Sequence, residues 1–332
     1  VSVLVTGVAG FIGFHVARAL LDRGEQVVGV DSLNAYYDVR LKRARLALLE
    51  GEGFRFHLLD IADADALAAV AREAGVDRIV HLAAQAGVRY SLEAPFAYAR
   101  SNLVGHLAVL EVARGLTGLR HLVYASSSSV YGANSVLPFA ETDRVDTPLS
   151  LYAATKRADE LMSHAYSHLF ALPQTGLRFF TVYGPWGRPD MAYYAFAEAI
   201  ADGRAITVYD GGVLRRDFTY IDDIVAGVIG CLDRPPKAGA PRLLNIGNSH
   251  SEPVNALISL LEEALGRRAV IEAAPRPAAD VRETFASVGA IEALCGYRPA
   301  TSLAQGVPRF VAWFVDWRAR CGVPVLGLAK GG

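Results

Sequence analysis

The 332-residue chain predicts an α/β protein with a doubly wound parallel sheet and a smaller mixed α/β lobe. Two observations carry this expectation. Short β-branched runs alternate with amphipathic helical patterns from the first residues to about Phe170. Near Thr181 the rhythm stops, and Gly, Pro and aromatic residues thicken in "VYGPWGRPDMAYY". An apolar fraction of 52% is ample for so large a core.

The strands read in order as "SVLVT", "QVVGVD", "FRFHLLD", "RIVHLA" and "HLVYAS". Between and after them come "FIGFHVARALLDRG", "DVRLKRARLALLE", "ADALAAVAREAG", "NLVGHLAVLEVARGL" and "YAATKRADELMSHAYSHLF", with apolar residues at i, i+3 and i+4. Helices of that pattern can cover both faces of a parallel sheet as crossovers. The expected division is residues 1–180 for a dinucleotide-binding lobe and 181–330 for a substrate lobe. "RLLNIGN" (242–248) is strand-like and is expected to return to the first lobe, whereas "RPPKAGAPR" reads as an exposed loop. There is no internal repeat and no low-complexity tract.

Charge narrows the function classes. The 33 Lys and Arg nearly cancel 34 Asp and Glu, and no basic block stands out, so neither nucleic acid nor a membrane surface is expected as a partner. A small-molecule ligand fits better. Cys231, Cys295 and Cys321 are odd in number, widely spaced and without a C-x-x-C pair. That argues against a disulfide framework or a zinc site and suits a reducing, cytoplasmic setting. "VSVLVTG" enters a strand without a basic leader, and no apolar run nears the ~18 residues of a membrane span, so neither export signal nor anchor is expected.

"GVAGFIG" sets Gly7, Gly10 and Gly13, with Phe11 and Ile12 between them, where the first strand gives way to the first helix. Glycines there let backbone N–H groups approach a pyrophosphate. Asp31 ends the second strand, about 20 residues on from the glycine loop, where a carboxylate accepts from an adenosine ribose and repels a 2′-phosphate. NAD is therefore expected over NADP; the bland reading of Asp31 is a cap. Asp60, followed by Ile61, closes the third strand and reads equally as a cap or an adenine contact.

"SLYAATKRADE" places Tyr152 and Lys156 four apart, on one face of a helix. An ammonium beside a phenol favours the phenolate and suits a general base. Y-x-x-x-K also arises by chance in ordinary amphipathic helices. Here it follows the serine run of "YASSSSVYG", Tyr124 to Gly132.

The glycine loop, Asp31, the serine run and Y-x-x-x-K together resemble the extended short-chain dehydrogenase/reductase family of nucleotide-sugar enzymes, over nearly the whole chain. The resemblance implies a Rossmann-type first lobe with tightly held NAD, and a UDP-sugar-binding second lobe. It further implies that Tyr152 removes the sugar 4-OH proton and Ser127 hydrogen-bonds the same oxygen. Lys156 would hold the nicotinamide ribose and depress the Tyr152 pKa. A homodimer pairing "NLVGHLAVLEVARGL" with the Tyr152 helix is implied as well.

Dehydratases and decarboxylases of this family carry an acid just after the catalytic hydroxyl, in patterns like T-D-E-V-Y-G or T-S-E-V-Y-G. Here Ser128 and Ser129 stand there, and neither is an acid/base. Epimerisation at C4 needs no such acid. "DSLNAYYDVRLKRARLALL", "HLAAQAGVRYSLEAP" and "TGLRFFTVYGPWGRPDMAYYAF" resemble the UDP-glucuronate 4-epimerases more than the UDP-glucose 4-epimerases, in which Asn usually stands at the position of Thr181. The implied reaction interconverts UDP-glucuronate and UDP-galacturonate. The alternatives are UDP-glucose 4-epimerase, UDP-glucuronate decarboxylase, and a non-catalytic NAD sensor, which would commonly lack the tyrosine or lysine.

On that resemblance Ser128, Ser129 and Thr181 meet the C6 carboxylate, and Arg188 lies beside sugar and phosphate. Arg216, in "RRDFTYIDD", grips the diphosphate with a planar fork; a surface ion pair is its bland alternative. Tyr209 aligns near the uracil, unless it is core, and Arg89 falls on the phosphate side. Arg276 and Asp280 correspond to a ribose-binding turn, but "PRPAADV" lacks that turn's glycine and is a residue longer.

Three other patterns point elsewhere. His164 and His168 have i, i+4 metal spacing but no third ligand nearby, and no metal is expected. "VRLKRAR" reads as a solvated basic face. Trp313, Phe314 and Trp317 read as core or lobe docking.

Overall fold

The computed structural model describes residues 2–276 and 281–323. The chain runs β1 (Ser2–Thr6), α1 (Phe11–Asp22), β2 (Val27–Asp31), α2 (Val39–Ala47), β3 (Phe54–Leu58), α3 (Ala64–Glu73), β4 (Val76–His81), α4 (Tyr90–Glu93) and α5 (Pro95–Tyr98). A π-helical stretch, Ala99–Val104, leads into α6 (Gly105–Gly115), followed by β5 (His121–Ser127), α7 (Leu151–Phe170) and β6 (Gln174–Phe179). Then come β7 (Thr181–Tyr183), α8 (Ala192–Asp202), β8 (Ala205–Tyr209), β9 (Arg215–Arg216), β10 (Phe218–Tyr220), α9 (Ile221–Leu232) and β11 (Arg242–Ile246). Last are β12 (Glu252–Pro253), α10 (Val254–Leu265), β13 (Val270–Ala274), α11 (Gly289–Cys295) and α12 (Leu303–Arg320).

Seven strands form the central sheet in the order β11-β6-β5-β4-β1-β2-β3. Every neighbouring pair is parallel, which is why β1, β2 and β6 are buried along their whole length; β1 and β2 read as largely apolar runs rather than alternations, while β6 buries Gln174, Thr175 and Arg178 as well. Chain direction across the sheet reverses between β1 and β4, and such a switch point opens a crevice at the carboxyl ends of the strands. The doubly wound α/β class expected from the alternation is the class found.

The rest of the chain makes only small ladders: β10 with β7, β12 with β9, and β13 with β8. Packing joins the two parts. Trp186 meets Phe14 of α1 on one side and Trp313 and Trp317 of α12 on the other, with ring centroids 5.8, 5.2 and 5.6 Å apart. Phe314 is fully buried in the same aromatic group. Asp217, between β9 and β10, is wholly buried and accepts from the Asn248, Ser249 and Ala286 N–H groups and the Thr219 hydroxyl. A buried carboxylate is tolerated because these donors satisfy it.

One expectation fails. Of the basic residues in "VRLKRAR", Lys42 and Arg45 are buried rather than solvated. Arg45 donates to the carbonyls of Ala9, Trp186 and Gly187 and to the Tyr37 hydroxyl, at 2.7–3.1 Å. Five N–H groups in a fixed fork can meet such a set, which is why arginine stands there. Arg40 keeps to the exposed side, paired with Asp38.

Candidate active site

A cavity of about 1050 Å³ opens at the switch point, walled on one side by the sheet and on the other by the small ladders. Its floor begins at the turn after β1. Gly7 has φ of 69°, and a side chain there would drive Cβ to 2.7 Å from the Ala83 amide nitrogen. At Gly13 a Cβ would lie 2.1 Å from the Gly7 carbonyl. Gly10, Phe11 and Ile12 complete the turn and line the same space. The turn is thus too tight for side chains at Gly7 and Gly13, and it brings the start of α1 to the cavity, a cradle for an anionic group.

Asp31 is buried at the end of β2. One oxygen accepts from Ala9 N–H (3.1 Å) and the other from Leu33 N–H (2.8 Å), tying the strand end to the glycine turn. Carboxylate oxygens have further lone pairs, and Asp31 lines the cavity, so cap and ligand contact are compatible. Asp60 and Ile61 line the adjoining stretch; Asp60 accepts from Ala62 N–H and pairs with Arg100 at 2.9 Å.

Beyond β5 the serines diverge. Ser126 turns to the core and donates to Glu160 at 2.6 Å, inside a network that runs through Arg178 and the Tyr131 hydroxyl to Asn245. Ser127 caps the turn Ser128–Tyr131, its Oγ accepting from Ser129 N–H at 3.2 Å. That bond uses a lone pair and leaves the Ser127 hydroxyl proton available to the cavity. Ser128 and Ser129 line the same wall, with Thr181 from β7.

Ser150 caps α7 by accepting from Ala153 N–H, and so sets Tyr152 in the first turn. The Tyr152 ring packs edge-on against Tyr98, centroids 6.0 Å apart, while Tyr98 is anchored through its hydroxyl to the Ala86 carbonyl. One helical turn on, Lys156 is buried; its ammonium donates to the Ala125 carbonyl (2.9 Å) and to Asp159 (3.1 Å). Tyr152, Lys156 and Ser127 all face the cavity.

The opposite wall is basic. Arg188 pairs with Asp190 (Nε to Oδ1, 3.0 Å), and Tyr36 donates to the same carboxylate at 3.1 Å. Burial and the Asp190 hydrogen bond push Tyr36 up to about 12, which keeps it a proton donor. Arg216 lines the cavity, one Nη donating to the Arg215 carbonyl. Arg89 lies over the ring of Tyr209, 5.0 Å from its centroid, so the two are brought together at the mouth. Arg276 is not among the lining residues; its guanidinium is 3.6 Å from Asp210, while Asp280 lies outside the described residues. His164 and His168 are exposed on α7, away from this cavity.

Sequence reasoning missed Lys42, Asp190 and Asp159. Lys42 lines the cavity, donates to Asn34 and lies 4.7 Å from the Tyr37 ring centroid; burial lowers its pKa. Nothing in a run of basic residues says which will be turned inward. Asp159 carried a signal, because it stands seven residues after Tyr152 on the same helix face.

The family model for the NAD dependent epimerase/dehydratase family matches residues 3–247. A probable UDP-glucuronate 4-epimerase from Rhizobium meliloti (strain 1021) is 47% identical, covering 94% of this chain and 96% of that protein. UDP-glucuronate 4-epimerase 2 of Arabidopsis thaliana is 46% identical over 99% of this chain and 79% of its own length. Among solved structures, UDP-glucuronic acid 4-epimerase from Bacillus cereus, in complex with UDP-glucuronic acid and NAD, superposes with a TM-score of 0.89 at 32% identity, covering 96% of this chain and 100% of that one.

Proposed function

The chain belongs to the NAD-dependent epimerase/dehydratase family, and from that membership and the cavity's chemistry we propose that it is a UDP-glucuronate 4-epimerase. The observation that carries the reading is the convergence of a bare glycine turn, a Ser127/Tyr152/Lys156 set, hydroxyls instead of an acid at Ser128 and Ser129, and a basic wall on one cavity.

The turn at Gly7, Gly10, Phe11, Ile12 and Gly13 fits a dinucleotide pyrophosphate, since Gly7 and Gly13 pack too closely on neighbouring backbone to carry a Cβ and so bring the start of α1 to the cavity. Asp31 would take the adenosine ribose, Asp60 and Ile61 would border the adenine, and Lys156 would hold the nicotinamide ribose. NAD supplies reversible oxidation at C4 of the sugar. Tyr152 takes the 4-OH proton and later returns one, and Ser127 donates to the same oxygen. Lys156 favours the Tyr152 phenolate. The planar ketone then turns over in the pocket and is reduced on its other face.

Ser128, Ser129 and Thr181 orient the C6 carboxylate through neutral hydroxyls, without locking it in an ion pair. A 4-keto glucuronate is a β-keto acid, and it loses CO2 when its scissile bond aligns with the carbonyl π system. The hydroxyls hold the carboxylate out of that alignment. Arg188 and Arg216 take the diphosphate, Arg89 its outer side, and Tyr209 the uracil. The uridine-ribose role of Arg276 and Asp280 rests on the resemblance alone, since Arg276 pairs with Asp210 outside the cavity lining and Asp280 lies outside the described residues.

We also propose that residues 1–180 hold the cofactor and 181–330 the sugar nucleotide, and that two copies pair through α6 and α7. Val104 and Leu107 on one side and Leu161 on the other are large apolar side chains left exposed. No helix of the described residues is long and apolar enough to cross a membrane, and Cys231, Cys295 and Cys321 are free thiols, which suits the cytoplasm.

Incubation with UDP-glucuronate and, separately, UDP-glucose, with products identified by NMR, tests the reading. UDP-galacturonate from the first is expected. A UDP-pentose, or turnover of UDP-glucose alone, would select one of the rival activities.

A further inference from the structure

Tyr152, Lys156 and Asp159 stand at i, i+4 and i+7 on α7, so one face of the helix carries all three. Asp159 Oδ2 is 3.1 Å from Lys156 Nζ, with the carboxylate 0% and the ammonium 3% exposed. Its other oxygen, Oδ1, is buried without a hydrogen-bond partner among the described residues. A buried carboxylate is costly, and a half-satisfied one more so. An amide would fill the same space, so packing does not explain the charge.

The surroundings offer Lys156 little other negative charge. His106 of α6 bonds to Ser163 through Nε2, and His81 of β4 bonds to Thr6. Burial, reinforced by the Lys156 charge, lowers both imidazoles, His81 to about 3, so both are neutral. Tyr124 of β5 packs its ring 5.2 Å from His106, and burial raises its pKa. Glu160, on α7 itself, is committed to Ser126, Arg157 and Arg178. Burial also raises Asp159 to about 6, against the pull of Lys156, so its charge is present at neutral pH.

We propose that Asp159 is a positioning residue that clamps the Lys156 ammonium against the end of β5 and tempers its field at Tyr152. An ammonium has three hydrogens. The Ala125 carbonyl and Asp159 take two in fixed directions, which aims the third into the cavity. A negative charge behind the ammonium cancels part of its positive potential in front. Tyr152 is therefore a stronger base than it would be beside an uncompensated lysine, and a better proton donor to the alkoxide formed on re-reduction is given up in exchange. The inference rests on the proposed roles of Tyr152 and Lys156.

The test is the pH dependence of kcat/KM for the NAD-loaded parent, Asp159→Asn and Asp159→Glu. In parallel, the Tyr152 phenolate is titrated by ultraviolet difference absorbance in loaded and NAD-free protein, with Tyr152→Phe as the blank. Asp159→Asn is expected to move both the acid limb and the absorbance titration down by about one pH unit. Asp159→Glu should bring them back toward the parent. Should Asp159→Asn not fold, Asp159→Ser carries the same expectation. A limb that stays in place or moves up, with only a pH-independent loss of kcat, overturns the proposal. If Tyr152→Phe keeps full turnover, the underlying reading has failed instead; an inactive Tyr152→Phe with an unmoved limb in Asp159→Asn refutes the role of Asp159 alone.

Discussion

The guanidinium of Arg45 holds the carbonyl of Trp186 with two N–H groups, at 2.7 and 3.1 Å. Trp186 carries a φ of 60°, a left-handed conformation that costs a side-chain-bearing residue about 1–2 kcal/mol. A helix beside the glycine turn thus holds the loop that leads to Arg188 in a shape the loop alone would resist.

Replacing Arg45 should therefore cost more than its surface-like sequence suggests. Arg45→Met strips partners from the carbonyls of Ala9, Trp186 and Gly187 and is expected to lower unfolding free energy by about 3–5 kcal/mol. Urea denaturation measures it; Arg40→Met, on the exposed side, should leave the midpoint close to the parent's.

Tyr152→Phe removes the proposed acid/base while keeping the ring that packs on Tyr98. Turnover is expected to fall by about 10²–10⁴ with substrate affinity retained. Single-turnover kinetics and calorimetric titration separate the two, and undiminished turnover would exclude Tyr152 from the chemistry.

Hydroxyl removal around the sugar carboxylate should change the product. Ser128→Ala, Ser129→Ala and Thr181→Val are expected to release more UDP-pentose and to bind UDP-glucuronate more weakly, as read by NMR and titration. Variants that bind as well as the parent and make no more pentose would refute the proposed carboxylate contacts.

Gly13→Ala would place a methyl group 2.1 Å from the Gly7 carbonyl oxygen and so force the glycine turn out of shape. The expected result is protein that purifies with little or no NAD, seen in the nucleotide released on denaturation. NAD content equal to the parent's would argue against this turn as the pyrophosphate site.

Buried histidines set an acid limit on stability, His15 and His121 alongside His81 and His106. Burial drives His15 and His121 down to about 4, against hydrogen bonds to the Pro185 and Leu232 carbonyls. The unfolded-state value is about 6.5, so the folded-state pKa is depressed. Their contribution is fully present above pH 6.5 and is lost as pH falls toward 4. Between pH 7.5 and 5 each should cost about 2 kcal/mol. Urea denaturation at the two pH values measures the loss, and His121→Gln should recover part of it.

Much of the architecture was legible because parallel strands buried on both faces leave unbroken β-branched runs, and crossover helices leave a period of 3.6. The glycine turn, Asp31, the serines and Y-x-x-x-K were legible because each needs a residue type at a fixed spacing. Arg45 was not, since its burial depends on carbonyls from distant segments, nor was Lys42, which turns inward onto Asn34 and Tyr37 of the irregular stretch before α2. Asp159 shares the helix face of Tyr152, a signal the spacing carries, but its pairing with the Lys156 ammonium is seen only in the fold.

The seventh strand, β11, lies some 60 residues beyond the β6 strand it pairs with, and β6 is buried at all six positions. A nascent chain ending near Phe180 would leave the outer edge of β6 unpaired, open to pairing with another chain. The central sheet is therefore complete only once Ile246 has been synthesised, after residues 181–246 have followed β6. The fold ties completion of the central sheet to the arrival of a segment from beyond β7 to β10.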